Sequence, residues 1–255
     1  MSRRYEGRRV LVTGAGSGIG QGVALRLLEE GARLVAADAN AAGLAATVDA
    51  VPADQRERLR TLTLDISDPE AVRTATAAAH EFLGGLDVLV NAAGILRAAH
   101  THEMPLESWN KVIAVNLTGT FLMIQANLPA LIDSGHGVIV NFSSTAAFGS
   151  NPYMAAYSAS KAGVNALTHS IALEYVKKGL RAVNIVPGGI STGITSGLEL
   201  PAAADWSLMA RLPGWIEGGA LGKPEDIAGV VAMAASDDGR YMTGTELRVD
   251  GGALM

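Results

Sequence analysis

The stretch TGAGSGIG, residues 13–20, follows the apolar run Val10-Leu11-Val12 and leads into Gly20–Glu30, a helix-length segment that stops at Gly31. Its glycines remove side chains from a short piece of backbone, which lets another group approach that backbone closely. A glycine-rich turn between a first strand and a first helix is where open α/β sheets bind a dinucleotide. Amide groups at the helix N-terminus point at the pyrophosphate, and the helix dipole favours its charge. Taken alone, the glycines also fit an ordinary tight turn.

Working outward, apolar runs of strand length recur at Val10–Thr13, Leu34–Ala37, Thr61–Leu64, Val88–Val90, Val138–Phe142, Ala182–Val186 and Leu247–Val249. Several are apolar on both faces, as buried parallel strands require. Helix-length stretches separate them. Asp68-Pro69-Glu70 opens one that runs to about Leu83, and 105–133 forms one long helix or two joined ones. Ala156–Lys178 ends at Gly179, and Pro224-Glu225-Asp226 opens the last, to about Ser236. This alternation predicts an α/β fold, a doubly wound parallel sheet of about seven strands flanked by helices. No repeat or linker divides the chain, so residues 1–255 read as one domain. The long irregular region from Gly188 to Gly222 is a candidate lid.

The 255 residues carry a net charge of −5 and no cysteine. That balance provides no basic field for nucleic acid or an anionic membrane. A thiol nucleophile, a disulfide scaffold and a zinc–thiolate site are excluded. The N-terminus lacks the apolar core of a signal peptide, and no apolar run approaches the ~18 residues of a membrane span. A cytoplasmic protein is the expectation.

The glycine spacing departs from G-x-G-x-x-G, because Ile19 stands where the third glycine would fall. Thr13, Gly14, Gly18 and Gly20 fit T-G-x-x-x-G-x-G. Asp38 closes the run RLVAAD, where a carboxylate can accept both ribose hydroxyls of an adenosine and repel a 2′-phosphate. NAAG follows the fourth strand run at 91–94. YSASK, 157–161, puts Tyr157 and Lys161 on one helix face, and Ser144 lies just beyond the run VIVNF. As a set, from about Glu6 to Gly252, these motifs resemble the short-chain dehydrogenase/reductase family.

The resemblance implies a Rossmann-type fold and hydride transfer between a nicotinamide and a secondary alcohol or ketone. It implies Asn116, Ser144, Tyr157 and Lys161 as a catalytic tetrad. It implies pyrophosphate contacts from Gly14, Ser17, Gly18, Ile19 and Gly20, ribose contacts from Asp38, and adenine contacts from Asp65 and Ile66. Asn91, Ala92 and Gly94 would line the ribose side, with Ala92 in place of the second Asn of the family's N-N-A-G. Pro187, Gly188, Ile190 and Thr192 would hold the nicotinamide. NADP-using relatives carry a cation at positions that hold Ser17, Ala39 and Asn40 here, so NAD is expected over NADP.

Hydride movement at an alcohol carbon needs a matched proton transfer at its oxygen. A free tyrosine, with a pKa of about 10, is a poor base at neutral pH. A neighbouring ammonium favours the phenolate, so Lys161 is expected to pull Tyr157 down toward working pH as the general acid/base. Ser144 would donate to the substrate oxygen. By family analogy Asn116 would hold a water that joins Lys161 to solvent. Ser143 is the alternative serine, one residue too far from Tyr157 for the family spacing.

The substrate surface is expected from Leu96, Ser144, Thr145, Met154, Tyr157, Gly189 and a lid at 193–216 that includes Trp206. The lid's apolar residues suit an apolar or ring-bearing small molecule, or else pack the lid itself. His100 and His102 have no supporting metal-ligand set and read as solvated loop histidines. The apolar helices 105–133 and 156–178 suit a homotetramer in the resembled family, with a homodimer second. The competing function is a catalytically silent dinucleotide sensor or scaffold on the same fold.

Overall fold

A computed structural model describes residues 3–149, 151–209 and 220–254. Seven parallel strands form one sheet: β1 (Arg9–Thr13), β2 (Arg33–Asp38), β3 (Leu59–Thr63), β4 (Val88–Asn91), β5 (Val138–Phe142), β6 (Arg181–Pro187) and β7 (Thr245–Val249). Their order is β3-β2-β1-β4-β5-β6-β7. The order reverses between β1 and β4, whose registers pair Thr13 with Asn91. That reversal opens a crevice at the carboxyl ends of the strands, the place where open α/β sheets take ligands.

The central strands are apolar on both faces because helices cover both. On one face Val10, Val12, Val88, Val90 and Val140 pack under α1 (Gly18–Glu29) and α8 (Pro224–Ala234). On the other, Leu11, Leu89 and Ile139 pack under α3 (Pro69–Leu83), α5 (Thr120–Asp133) and α6 (Ala155–Tyr175). β3 lies at the sheet edge and is only half-buried, which fits its alternating run Leu59-Arg60-Thr61-Leu62-Thr63.

Local chemistry sets the helix ends. Asp68 caps α3 by accepting from the Glu70 and Ala71 amides at 2.9 and 3.1 Å, and Pro69 needs no donor there. Gly84 ends the same helix at φ +74°. One helix, α2 (Ala41–Ala50), lies where no helix was expected; Asn40 caps it by accepting from Gly43 N at 3.1 Å.

The expected long element at 105–133 is α4 (Leu106–Ile113) and α5, joined by a π-turn over Ala114–Gly119. Taken as one helix, Leu106–Asp133 is long and apolar enough to cross a membrane, although polar residues interrupt its apolar runs. Here Val112, Met123, Ile124 and Leu131 are buried within the fold. The short α7 (Gly193–Ser196) follows β6 and starts the 193–209 segment. Residues 210–216 of the expected lid lie outside the described residues, as does the Trp206 side chain.

Candidate active site

The sequence builds one end of the crevice from the β1–α1 turn. A Cβ on Gly14 would come within 2.6 Å of Ala93 N, and Gly14 has a φ of +69°. A Cβ on Gly18 would lie 3.0 Å from the Thr192 side chain. Both positions favour glycine, Gly18 because its φ is +54°. Ser17 makes no side-chain cap bond at the start of α1, and the first turn of α1 holds no acidic residue. The amide donors and dipole of that helix end are thus presented to an anion.

Asp38 stands at the end of β2 beside this turn. Its Oδ2 accepts from Gly16 N at 2.9 Å and its Oδ1 from Asn40 N at 2.8 Å. Each carboxylate oxygen has further lone pairs for ligand hydroxyls. A groove of about 310 Å³ runs from Asp38 past Gly14 and Ile19 to Asp65, Ile66 and Gly94. Its outer end carries Lys111, whose Nζ lies 3.3 Å from Asp65 Oδ2. The Ser67 hydroxyl donates to Asp65 at 2.6 Å and holds its carboxyl below the usual value, and Lys111 adds to that pull.

A second cavity of about 90 Å³ shares Ile19, Ala92, Gly94, Thr192 and Ile194 with the groove and reaches Ser144, Tyr157 and Lys161. Pro187, Gly188 and Ile190 form its far wall. The fold thus brings both halves of the expected cofactor constellation, except Asn91, which is buried in the sheet, and three of the four expected catalytic groups onto one continuous cleft.

Tyr157 and Lys161 lie on α6, which is bolted to the sheet by buried polar bonds. Asn91 Nδ2 donates to Asn141 Oδ1 and Asn141 Nδ2 to Thr168 Oγ1, each at 2.8 Å. Ser143 donates to the Lys161 carbonyl at 3.1 Å. The Ser144 hydroxyl instead accepts from Ala146 N at 3.2 Å and shares the cavity wall with Tyr157. Lys161 Nζ donates to Phe142 O at 2.8 Å and lies 5.7 Å from the Tyr157 ring centre.

Burial pushes the Tyr157 phenol above its ordinary value, and the Ser144 hydroxyl pulls it partly back. Burial also brings the Lys161 ammonium down to about 8. In the protein alone, desolvation sets the direction for Tyr157, and the pull back comes from Ser144 and not from Lys161 as expected.

Asn116 lies in the π-turn, fully buried. Its Oδ1 accepts from Ile95 N at 2.8 Å, and its Nδ2 donates to Ile95 O at 2.9 Å and Ser160 Oγ at 3.0 Å. The expected water relay has no side-chain donor left to use. The main-chain carbonyl of Asn116 accepts from Thr120 Oγ1 at 2.8 Å. Turns of this kind are rare and cluster at functional sites.

Among the residues expected to meet substrate, Ser144 and Tyr157 line the cavity. Thr145 and Met154 are buried, and Leu96 and Gly189 are half-buried, each of the four outside the described cavity wall. Sequence reasoning missed Lys111 as a cleft residue; Ile194 and Thr195 fall within the expected lid but were not singled out. Thr195 carried a signal: with Thr192 it forms a reciprocal cap, its hydroxyl accepting from Thr192 N at 3.0 Å. His100, expected in solvent, is half-buried against Tyr153, whereas His102 is exposed.

The family model for short chain dehydrogenase matches residues 8–201. A 2,5-dichloro-2,5-cyclohexadiene-1,4-diol dehydrogenase of Sphingobium indicum is 39% identical over 99% of this chain and 98% of its own. A (3R)-3-hydroxyacyl-CoA dehydrogenase of Rattus norvegicus is 38% identical over 99% of this chain and 98% of its own. Among solved structures, a 3-ketoacyl-(acyl-carrier-protein) reductase from Brucella melitensis, complexed with NADH, superposes with a TM-score of 0.88 at 30% identity. That match covers 98% of this chain and 99% of the other.

Proposed function

The chain belongs to the short-chain dehydrogenase family, a family of nicotinamide-dependent oxidoreductases, and from that membership we propose that it is an NAD-dependent enzyme interconverting a secondary alcohol and its ketone. The observation that carries this reading is the meeting of Ser144, Tyr157 and Lys161 in a cavity continuous with the glycine-lined groove. A pure sensor has no use for a phenol, a serine hydroxyl and a buried lysine gathered in one cavity wall.

The groove fits the cofactor on its own chemistry: a glycine cradle that a Cβ would fill, an uncapped helix start for the pyrophosphate, and Asp38 for the adenosine ribose. Asp65 and Ile66 would hold the adenine, Asn91, Ala92 and Gly94 the ribose side, and Pro187, Gly188, Ile190 and Thr192 the nicotinamide. Asp38 favours NAD over NADP, because its carboxylate repels a 2′-phosphate. Bound NAD supplies the hydride acceptor.

The rest falls to the chain. Ser144 donates to the substrate oxygen and holds it beside the Tyr157 hydroxyl. Tyr157 takes the alcohol proton in oxidation and returns it in reduction. Lys161 provides the positive charge that favours the phenolate, against the opposing effect of burial. Asn116 braces Ile95 and Ser160 around this cluster, and its carbonyl is the group for a relay water.

Residues 1–255 act as one unit, with 193–216 as a lid over the substrate. The sequence 193–216 holds Glu199 and Asp205 against one cation, Arg211, and so offers no anion clamp, which disfavours a phosphate-bearing carrier and favours a compact apolar alcohol, ring-bearing like the substrate named for the Sphingobium relative. The homotetramer reading is supported by apolar side chains left uncovered on helices: Leu106 is 71% exposed and Leu173 81%. Titration with NADH and NADPH by nicotinamide fluorescence, followed by a panel of ketones, tests the whole reading. Failure to bind NADH would overturn it; NADH binding without turnover on any ketone would favour the sensor.

A further inference from the structure

Three segments distant in sequence meet beside the catalytic cleft: the loop after β4, the turn into α6 and the stretch after α7. Ala99 N donates to the Tyr153 carbonyl at 2.9 Å. The His100 ring stands edge-on to the Tyr153 ring, 5.2 Å apart at 88°. His100 Nε2 lies 3.0 Å from Ala202 O, and since a carbonyl only accepts, this nitrogen carries the proton. The Tyr153 hydroxyl accepts from Asp205 N at 2.8 Å. Asp205 in turn accepts from the Ser207 amide and hydroxyl, which closes the next turn.

Tyr153 also holds a φ of +66°, a left-handed conformation that tyrosine rarely adopts. Such strain persists where surrounding bonds over-determine it, and it concentrates at ligand clamps. The 193–205 segment is therefore held at both ends. Its start, Ile194 and Thr195, lines the cavity of Ser144 and Tyr157. Its end is tied to Tyr153, in the turn that leads into α6 and Tyr157.

We propose that His100 and Tyr153 are specificity-determining residues: they fasten residues 202–205 and so hold the 193–205 segment across the mouth of the cleft, admitting compact cyclic ketones and excluding chain-bearing thioesters. This rests on the oxidoreductase reading above. It assigns to a loop histidine and a strained tyrosine the task of keeping the substrate cavity short. Both ties are half-exposed neutral hydrogen bonds, each of modest net strength, so the segment can still release for substrate exchange.

The test uses the full chain and two variants that keep an aromatic ring, Tyr153→Phe and His100→Phe. Hydrogen–deuterium exchange is read over 200–209 without ligand. Cyclohexanone and acetoacetyl-CoA are then compared as NADH-dependent substrates, with NADH affinity as the control. The expected result is exchange over 200–209 faster by about fivefold, the loss of one net hydrogen bond, with NADH affinity unchanged. KM for cyclohexanone rises more than kcat falls, and the selectivity ratio moves toward the thioester. Unchanged exchange in both variants overturns the fastening, and faster exchange with an unchanged selectivity ratio overturns the specificity role. Wild-type protein that binds NADH but reduces neither probe sinks the specificity role with the assigned reaction, while the exchange result still decides the fastening.

Discussion

Lys161 Nζ is buried and donates to the Phe142 carbonyl at 2.8 Å, with a single charge-neutral partner where an ammonium has three donors to satisfy. Burial holds its pKa at about 8, below the ordinary lysine value. Between about 8 and the unfolded value near 10.4, the unfolded chain binds the proton and the folded chain does not. Stability from this group therefore rises with pH through that window, and below it the buried charge costs roughly 3 kcal/mol. Lys161→Met should stabilise the cofactor-free protein at pH 7 and lose turnover. Thermal unfolding of both proteins from pH 6 to 10 checks this: the gap in Tm should narrow above pH 8. A constant gap would mean the ammonium is well solvated.

Tyr157 faces Ser144 in the cavity while burial holds its proton on. Tyr157→Phe removes the titrating oxygen and little else. Turnover should fall by roughly 10²–10⁴-fold, the usual worth of a positioned acid/base, with NADH affinity within about twofold of wild type. Stopped-flow hydride transfer and fluorescence titration separate the two. Retained turnover would move the proton transfer to another group.

Asp38 meets the ligand groove with both oxygens already accepting backbone amides from Gly16 and Asn40. Asp38→Asn keeps the shape, removes the charge and turns one acceptor into a donor. NADH binding should weaken by about 10-fold, the worth of a hydrogen bond to a charged group, and NADPH binding should improve. The ratio of the two dissociation constants is the readout. An unchanged ratio would place the cofactor's ribose elsewhere.

The features legible in sequence share a cause. The five central strands are buried, continuous apolar runs and could be found without their partners; the half-buried edge strands were located less well, β3 starting at Leu59 rather than Thr61 and β7 at Thr245 rather than Leu247. The glycine turn and the Tyr157–Lys161 pair are local spacings. α2 was missed because AAGLAATVDA pairs weak amphipathic order with an internal Gly43. The π-turn at Ala114–Gly119 leaves no mark in composition, since it is one extra residue inside a helical ladder. Lys111 meets Asp65, and His100 meets Tyr153, only through the folding of distant segments. Tyr157's upward shift was misjudged because a sequence reports the neighbouring lysine but not the desolvation that sets the direction.

That π-turn yields the last prediction. Asn116 ties both backbone groups of Ile95 and the Ser160 hydroxyl through one buried amide. Gly94, next to Ile95, is so close that a Cβ there would lie 3.4 Å from Asn116 Oδ1 and 3.5 Å from Lys161 Nζ. The amide thus fixes the wall against which Lys161 rests. Asn116→Ala strands the Ile95 N–H and C=O, at about 1–3 kcal/mol for each unsatisfied group. Asn116→Asp can still accept from Ile95 N, but sets an anionic oxygen against Ile95 O in place of a donor. Both variants should unfold at lower temperature, Asn116→Asp with a loss that deepens as pH rises through the carboxylate range. Calorimetry at pH 5 and pH 8 reads this directly. A wild-type Tm for Asn116→Ala would show that the π-turn holds its shape without the amide, and would leave Asn116 only its carbonyl as a role in the site.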